Sequence, residues 1–233
     1  GKGGRSEIKQ YNGKEVIMGI SQMLMKLAEG MATSCWIFGI TLLFSLPLGM
    51  VIAFGRMSKK RIVQGITKIY ISIMRGTPLM LQLMVVYFGP FYLWGMNIGN
   101  YKFTAIILGC SLNYAAYFAE IYRSGIESIP VGQYEASRIL GYGRCQMFFR
   151  IILPQTIKRI LPAVTNETIT LVKDTSLAFA IAYTELFTEV KQIAVAQTSM
   201  LPYLAAAIFY YVFNLLIAGI MSLVEKKLNY YKI

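Results

Sequence analysis

The sequence predicts an all-α protein, a polytopic membrane helix bundle of about five transmembrane helices. Three observations carry that expectation. Hydrophobic residues make up 56% of the 233 and charged residues only 15%, with a mean hydropathy of +0.52, whereas charged residues are about a quarter of an ordinary soluble domain. The apolar residues fall in runs long enough to cross a bilayer. The formal charge of +12 is concentrated in short runs between those segments. This is the positive-inside pattern of a membrane protein and not a nucleic-acid-binding surface.

The first span is expected over 32–54 and contains Pro47, which bilayer helices tolerate. It ends at the basic run Arg56-Met57-Ser58-Lys59-Lys60-Arg61, a cytoplasmic marker. A short amphipathic lead and a kinked entry at 75–78 precede the second span, 78–94, because Pro78 favours an extended residue before it. Tyr92 and Trp94 suit an interfacial belt. The third span covers 103–121. A long polar stretch follows, in which Arg123, Arg138, Arg144, Arg150, Lys158 and Arg159 face only Glu127 and Glu135, so it is placed in the cytoplasm. A fourth, interrupted span over 160–187 is too polar to face lipid throughout. The fifth, 203–224, ends in Glu225-Lys226-Lys227. Five spans with a cytoplasmic C-terminus put the N-terminus outside. The expected organisation is an N-terminal segment, 1–30, with an amphipathic helix over 14–30 able to lie on either surface; a transmembrane domain, 31–225, with a cytoplasmic loop at 122–159; and a cytoplasmic tail, 226–233.

The cytoplasmic stretch carries a patterned loop: Glu135-Ala136-Ser137, then Gly141, then Ile151, Leu153 and Pro154. In physical terms, a short helix starting near Glu135 offers small residues for close approach. Gly141 ends it, because a glycine tolerates positive φ. Phe148 and Phe149 are placed to enter a groove on a partner, and Pro154 forces a break before the next helix. The spacing resembles the signature loop of bacterial ABC-importer permeases, with Ser137 in place of an alanine. Arg75-Gly76-Thr77-Pro78-Leu79 with Gln82, the run from Ala119 to Ile126, Leu161-Pro162, and Lys173-Asp174-Thr175-Ser176-Leu177 resemble the polar-amino-acid branch of that family. The resemblance covers about residues 30 to 225. It implies a permease subunit in the bacterial cytoplasmic (inner) membrane, paired with a second copy or a homologous permease. It also implies a cytoplasmic ATP-binding subunit docked on the 135–154 loop, an extracytoplasmic substrate-binding protein, and a polar amino acid as substrate. No cofactor is expected in this chain; ATP and Mg belong to the partner ATPase. The sequence itself contains no G-x-x-x-x-G-K-[ST] loop and no histidine for metal or triad chemistry.

Ionisable groups inside a bilayer usually face a cavity or a partner. At 100° per residue, Asn166, Glu167, Thr170, Lys173 and Asp174 gather on one helical face, and Asn113, Tyr117 and Glu120 share another. With Thr77, Gln82, Thr175 and Ser176 they form the expected substrate pathway. For Glu120 and Glu167, pairing that locks helices together is an equal alternative, and a plain helix start is one for the 75–78 segment. Three acids (Glu120, Glu167, Asp174) against Lys173 favour a cationic or zwitterionic substrate. Two rival readings use the same carboxylates: a proton-coupled secondary transporter, and a membrane-embedded enzyme with Glu120 and Asp174 as acid and base.

Cys35, Cys110 and Cys145 have no metal-ligand spacing and are expected as free thiols. Cys145 lies in the basic loop. A membrane-impermeant maleimide should label it from the cytoplasmic side only; labelling in intact cells would reverse the whole orientation.

Overall fold

The computed structural model describes residues 19–228, and among them the secondary structure is entirely helical. Helix α1 (Ile20–Arg56) is followed by α2 (Arg61–Gly76) and α3 (Leu79–Trp94), then by α4 (Lys102–Glu127). Two short helices, α5 (Val131–Ile139) and α6 (Arg144–Met147), lead through a π-turn at Phe148–Ile152 into α7 (Leu153–Asp174). A 3₁₀ turn at Thr175–Ile181, α8 (Leu186–Gln197) and α9 (Leu201–Leu228) complete the chain.

Helices α1, α4 and α9 are long and apolar enough to cross a membrane. So is the pair α2 plus α3, which is bent by 109° at its break. Helix α7, 22 residues and about 33 Å long, holds the place of the polar fourth span. Centrally, α4 is buried on most sides by α1, α2, α3 and α7. It runs parallel to α1 and antiparallel to α3 and α7: Arg56 reaches Glu120, Gln82 reaches Asn113, and Tyr114 reaches Asp174. The main core gathers Ile37, Leu83, Ile106, Tyr114, Phe118 and Leu171 around it.

Residues 20–30 continue into α1 without interruption. At 37 residues that helix is about 55 Å long, well beyond a hydrocarbon core of about 30 Å. The rest of the expected N-terminal segment, 1–18, and the end of the tail, 229–233, lie outside the described residues.

Two expectations need correction. Pro154 does not break the chain before the fourth span. The π-turn at 148–152, in which the Leu153 N–H bonds to Phe148 O, widens the helix just ahead of the proline ring, and α7 runs straight on. The fourth span does not reach residue 187 as one unit. Its expected interruption is present and falls after Asp174, where the chain turns through the 3₁₀ segment and begins a separate helix at Leu186.

Helix α8 packs on the first turns of α1 and on α9, forming a second cluster of Met23, Leu27, Leu186, Val190, Ile193 and Ala206. Its start is fixed by Glu185, a fully buried carboxylate. Glu185 accepts hydrogen bonds from the Phe187 and Thr188 N–H groups at 2.8 Å each and from Thr188 Oγ1 at 3.0 Å. The Ser34 and Tyr210 hydroxyls approach it at 3.4 Å from α1 and α9. Gly30 lets α1 come this close, since a Cβ there would stand 2.9 Å from Leu186 Cα. One side chain thus caps α8 and ties three helices together.

Replacing Glu185 by alanine leaves two helix-start N–H groups without their acceptor, at a cost of about 1–2 kcal/mol for the cap alone. Glu185→Ala should lower the thermal midpoint in detergent and speed amide exchange at Phe187 and Thr188, with Glu185→Gln intermediate. Unchanged exchange at those amides would show that the cap does not hold α8.

Candidate functional site

The site begins at the break between α2 and α3. Pro78 has no N–H, so Met74 O loses its usual helical donor. Two side-chain amides replace it: Gln82 Nε2 donates to Met74 O at 3.0 Å and Asn113 Nδ2 at 2.9 Å. Asn113 Nδ2 also donates to Gln82 Oε1 at 2.9 Å, and Gln82 Nε2 reaches Thr77 Oγ1 at 2.7 Å. Thr77 is extended, at φ −123° and ψ 149°, which confirms the kinked entry. Thr77, Gln82 and Asn113, predicted separately from sequence, therefore meet in one knot, where their polar atoms hold the elbow.

Beside the knot lies a cleft of about 490 Å³ between α4 and α7, lined by Arg75, Tyr117, Glu120, Arg123, Arg159 and Glu167 among others. The Arg75 guanidinium sits 5.2 Å over the Tyr117 ring. Glu120 pairs with Arg123 at 2.7 Å and with Arg56 at 4.0 Å, and Arg123 also holds Glu127. Glu120 and Glu167, predicted on different helices, thus open on one space. That space also holds three arginines. The sequence-based charge count omitted Arg75, Arg123 and Arg159, so the net negative environment it implied does not describe this cleft.

The predicted polar face of α7 is real. Asn166, Thr170 and Lys173 are exposed on the single chain, Glu167 and Asp174 are half-buried, and Leu171 and Val172 are buried on the opposite side. Asp174 stands apart from the cleft and accepts a 2.7 Å hydrogen bond from Tyr114 Oη. Beyond it, Thr175 Oγ1 donates to Val172 O and Ser176 Oγ to Lys173 O. These bonds secure the carbonyls at the end of α7.

The loop motif forms a separate surface at the far end of α4. Its helix starts at Val131, not near Glu135, because Pro130 sets the entry geometry. Glu135 and Ala136 are exposed, while Ser137 is buried by its own chain and donates to Gln133 O. Gly141, at φ +76°, ends the helix in the left-handed conformation that its lack of a side chain permits. Ile151, Leu153 and Pro154 are half-buried in the turn into α7. Val131, Ile139, Leu140 and Phe149 remain exposed, with no cover from the described residues. Phe148, expected on a partner, instead packs edge-on against Phe54.

Sequence reasoning missed Glu185. It is an ionisable residue inside an apolar run, the same signal that singled out Glu120 and Glu167, but glutamate is not among the favoured N-cap residues.

Residues 45–230 match the family described as binding-protein-dependent transport system inner membrane component. The chain is 38% identical over 204 residues to the arginine transport system permease protein ArtQ of Bacillus subtilis (strain 168), covering 87% of this chain and 92% of that one. It is 33% identical over 218 residues to a putative glutamine transport system permease protein, GlnP, of Rickettsia bellii (strain RML369-C), covering 92% and 98%. A crystal structure of an amino acid ABC transporter with histidines superposes with a TM-score of 0.81 at 31% identity, over 89% of this chain and 96% of that one. Nearly the whole length of each relative is matched, and the family match takes in the 135–154 loop and the bundle from residue 45 onward. This chain belongs to the family of inner membrane components of binding-protein-dependent transport systems.

Proposed function

We propose that this chain is the transmembrane subunit of an ATP-driven importer that carries polar amino acids across the bacterial inner membrane. The observation that carries the reading is the mixed-charge cleft between α4 and α7. A free amino acid always presents a carboxylate and an ammonium group. Arg75 and Arg159 suit the former, and Glu120 and Glu167 the latter. The named relatives fit this chemistry, since arginine and glutamine differ in side-chain charge but share the α-amino acid moiety. Cleft and relatives together favour a zwitterion over a substrate chosen by net charge alone.

The exposed polar residues of α7 suggest how the pathway is completed. Asn166, Thr170 and Lys173 are costly to present to lipid. A second copy of the chain, or a homologous permease, would cover them and enclose a route that includes Asp174, Thr175 and Ser176. ATP and Mg belong, in this reading, to a separate cytoplasmic subunit seated on the patch of Val131, Ile139, Leu140 and Phe149, with Glu135 at its edge. An extracytoplasmic binding protein delivers the substrate on the opposite side.

Uptake into proteoliposomes containing the chain, its partner ATPase and a panel of amino acids tests the proposal. Uptake should require ATP and favour amino acids over the corresponding amines or carboxylic acids; ATP-independent uptake would point instead to a secondary transporter. Gly141→Val forces a β-branched residue to φ +76° and should abolish uptake while the protein remains inserted. Glu135→Lys should do the same by disturbing the ATPase contact. Near-normal uptake with normal ATPase association in either variant would remove the docking role from this loop.

A further inference from the structure

Helix α2 divides its surface three ways. Tyr70, Ile71 and Met74 pack toward the bundle. Ile62, Ile66, Ile69 and Ile73, at i, i+4, i+7 and i+11, form a single exposed stripe. Gln64 and Lys68 occupy the other flank, also exposed, while Arg75 at the end of the helix turns into the cleft. The helix follows directly on the basic run that ends α1. Lys59, Lys60 and Arg61 are exposed there, and the ion pairs among the described residues include none of them.

The direction of α2 comes from its contacts. Midway along it, Thr67 abuts Gly55 of α1, one residue from Arg56, which pairs with Glu120. Toward its end Met74 meets Asn113. Helix α3 runs along α4, with Gln82 at Asn113 and Leu83 at Gly109, and α2 meets α3 at a bend of 109° at Thr77–Pro78, so α2 lies across the direction of the bundle. A helix lying at such an angle beside the cytoplasmic ends of α1 and α4, apolar on one flank and basic on the other, has the form of an interfacial helix.

We propose that α2 lies in the cytoplasmic leaflet interface and that Lys59, Lys60 and Arg61, with the isoleucine stripe beside them, form a binding surface for anionic phospholipid. The stripe takes acyl chain and the basic run takes headgroup phosphate. Charge complementarity selects this occupant over a second copy of the chain, which would bring the same unpaired cations against themselves. The inference rests on the membrane location alone and is independent of the substrate.

The experiment places one tryptophan on the stripe, Ile66→Trp, with Trp36→Phe and Trp94→Phe removing the two native ones. The full chain is reconstituted in vesicles, and fluorescence quenching by brominated phosphatidylglycerol is compared with quenching by brominated phosphatidylcholine. Both lipids should quench, with phosphatidylglycerol preferred about five-fold or more, the worth of one engaged basic residue. Adding Lys59→Gln, Lys60→Gln and Arg61→Gln should erase the preference but leave quenching by phosphatidylcholine intact, which also reports that α2 is still seated. Equal quenching by the two lipids in the parent, or a preference that survives neutralisation, would overturn the headgroup assignment. Absence of quenching by either would mean that protein covers the stripe.

Discussion

Inside a bilayer no water is available to satisfy a broken helix, so every backbone group freed by a break must find its partner within the protein. Among the described residues, two of the helix breaks, after Gly76 and after Asp174, are closed by side chains, and the architecture is organised around those two. At the first, the amides of Gln82 and Asn113 take the place of the N–H that Pro78 lacks. At the second, Thr175 and Ser176 cover carbonyls of α7, Lys102 Nζ donates to Ala182 O at 2.9 Å, and Glu185 caps the next helix. Each repair draws at least one group from another helix, so the breaks also act as tertiary joints.

Both joints meet on α4. Asn113 turns toward the elbow of α2 and α3, and the next residue, Tyr114, reaches Asp174 at the end of α7. Neighbouring residues on a helix point about 100° apart, which is what two joints on different sides of one helix require. The charged cleft lies one to two turns further along the same helix, at Tyr117 and Glu120. In the proposed importer, displacement of α7 by the loop that precedes it would therefore be felt at the cleft through Glu167 and at the elbow through α4, with few intermediaries.

Much of this was legible in the sequence, for identifiable reasons. Long apolar runs gave α1, α4 and α9, because hydrophobic length is a direct requirement of the bilayer. Thr77-Pro78 announced the elbow through local sterics, and the 3.6-residue period put Asn166, Glu167, Thr170, Lys173 and Asp174 on one face. What escaped depended on contacts distant in sequence. Arg75 reads as an interfacial cation until α2 folds across Tyr117. Glu185 gains its importance only when Ser34 and Tyr210, 151 and 25 residues away, close around it. Pro154 reads as a breaker because the rule concerns α-helix, and the local π-turn that relieves the clash leaves no clear mark in the sequence. The resemblance to importer permeases reached the family directly. Only the packed chain brought Glu120, Glu167 and three arginines into one space.

The central claim is that the elbow is held by one cooperative knot and not by separate contacts. A double-mutant cycle on thermal stability in detergent, using Gln82→Leu and Asn113→Leu, tests it most directly. If the two amides serve the same freed carbonyl through each other, removing both should cost little more than removing either, with a coupling of about 1 kcal/mol or more. Additive losses would contradict the account and show that Gln82 and Asn113 act independently.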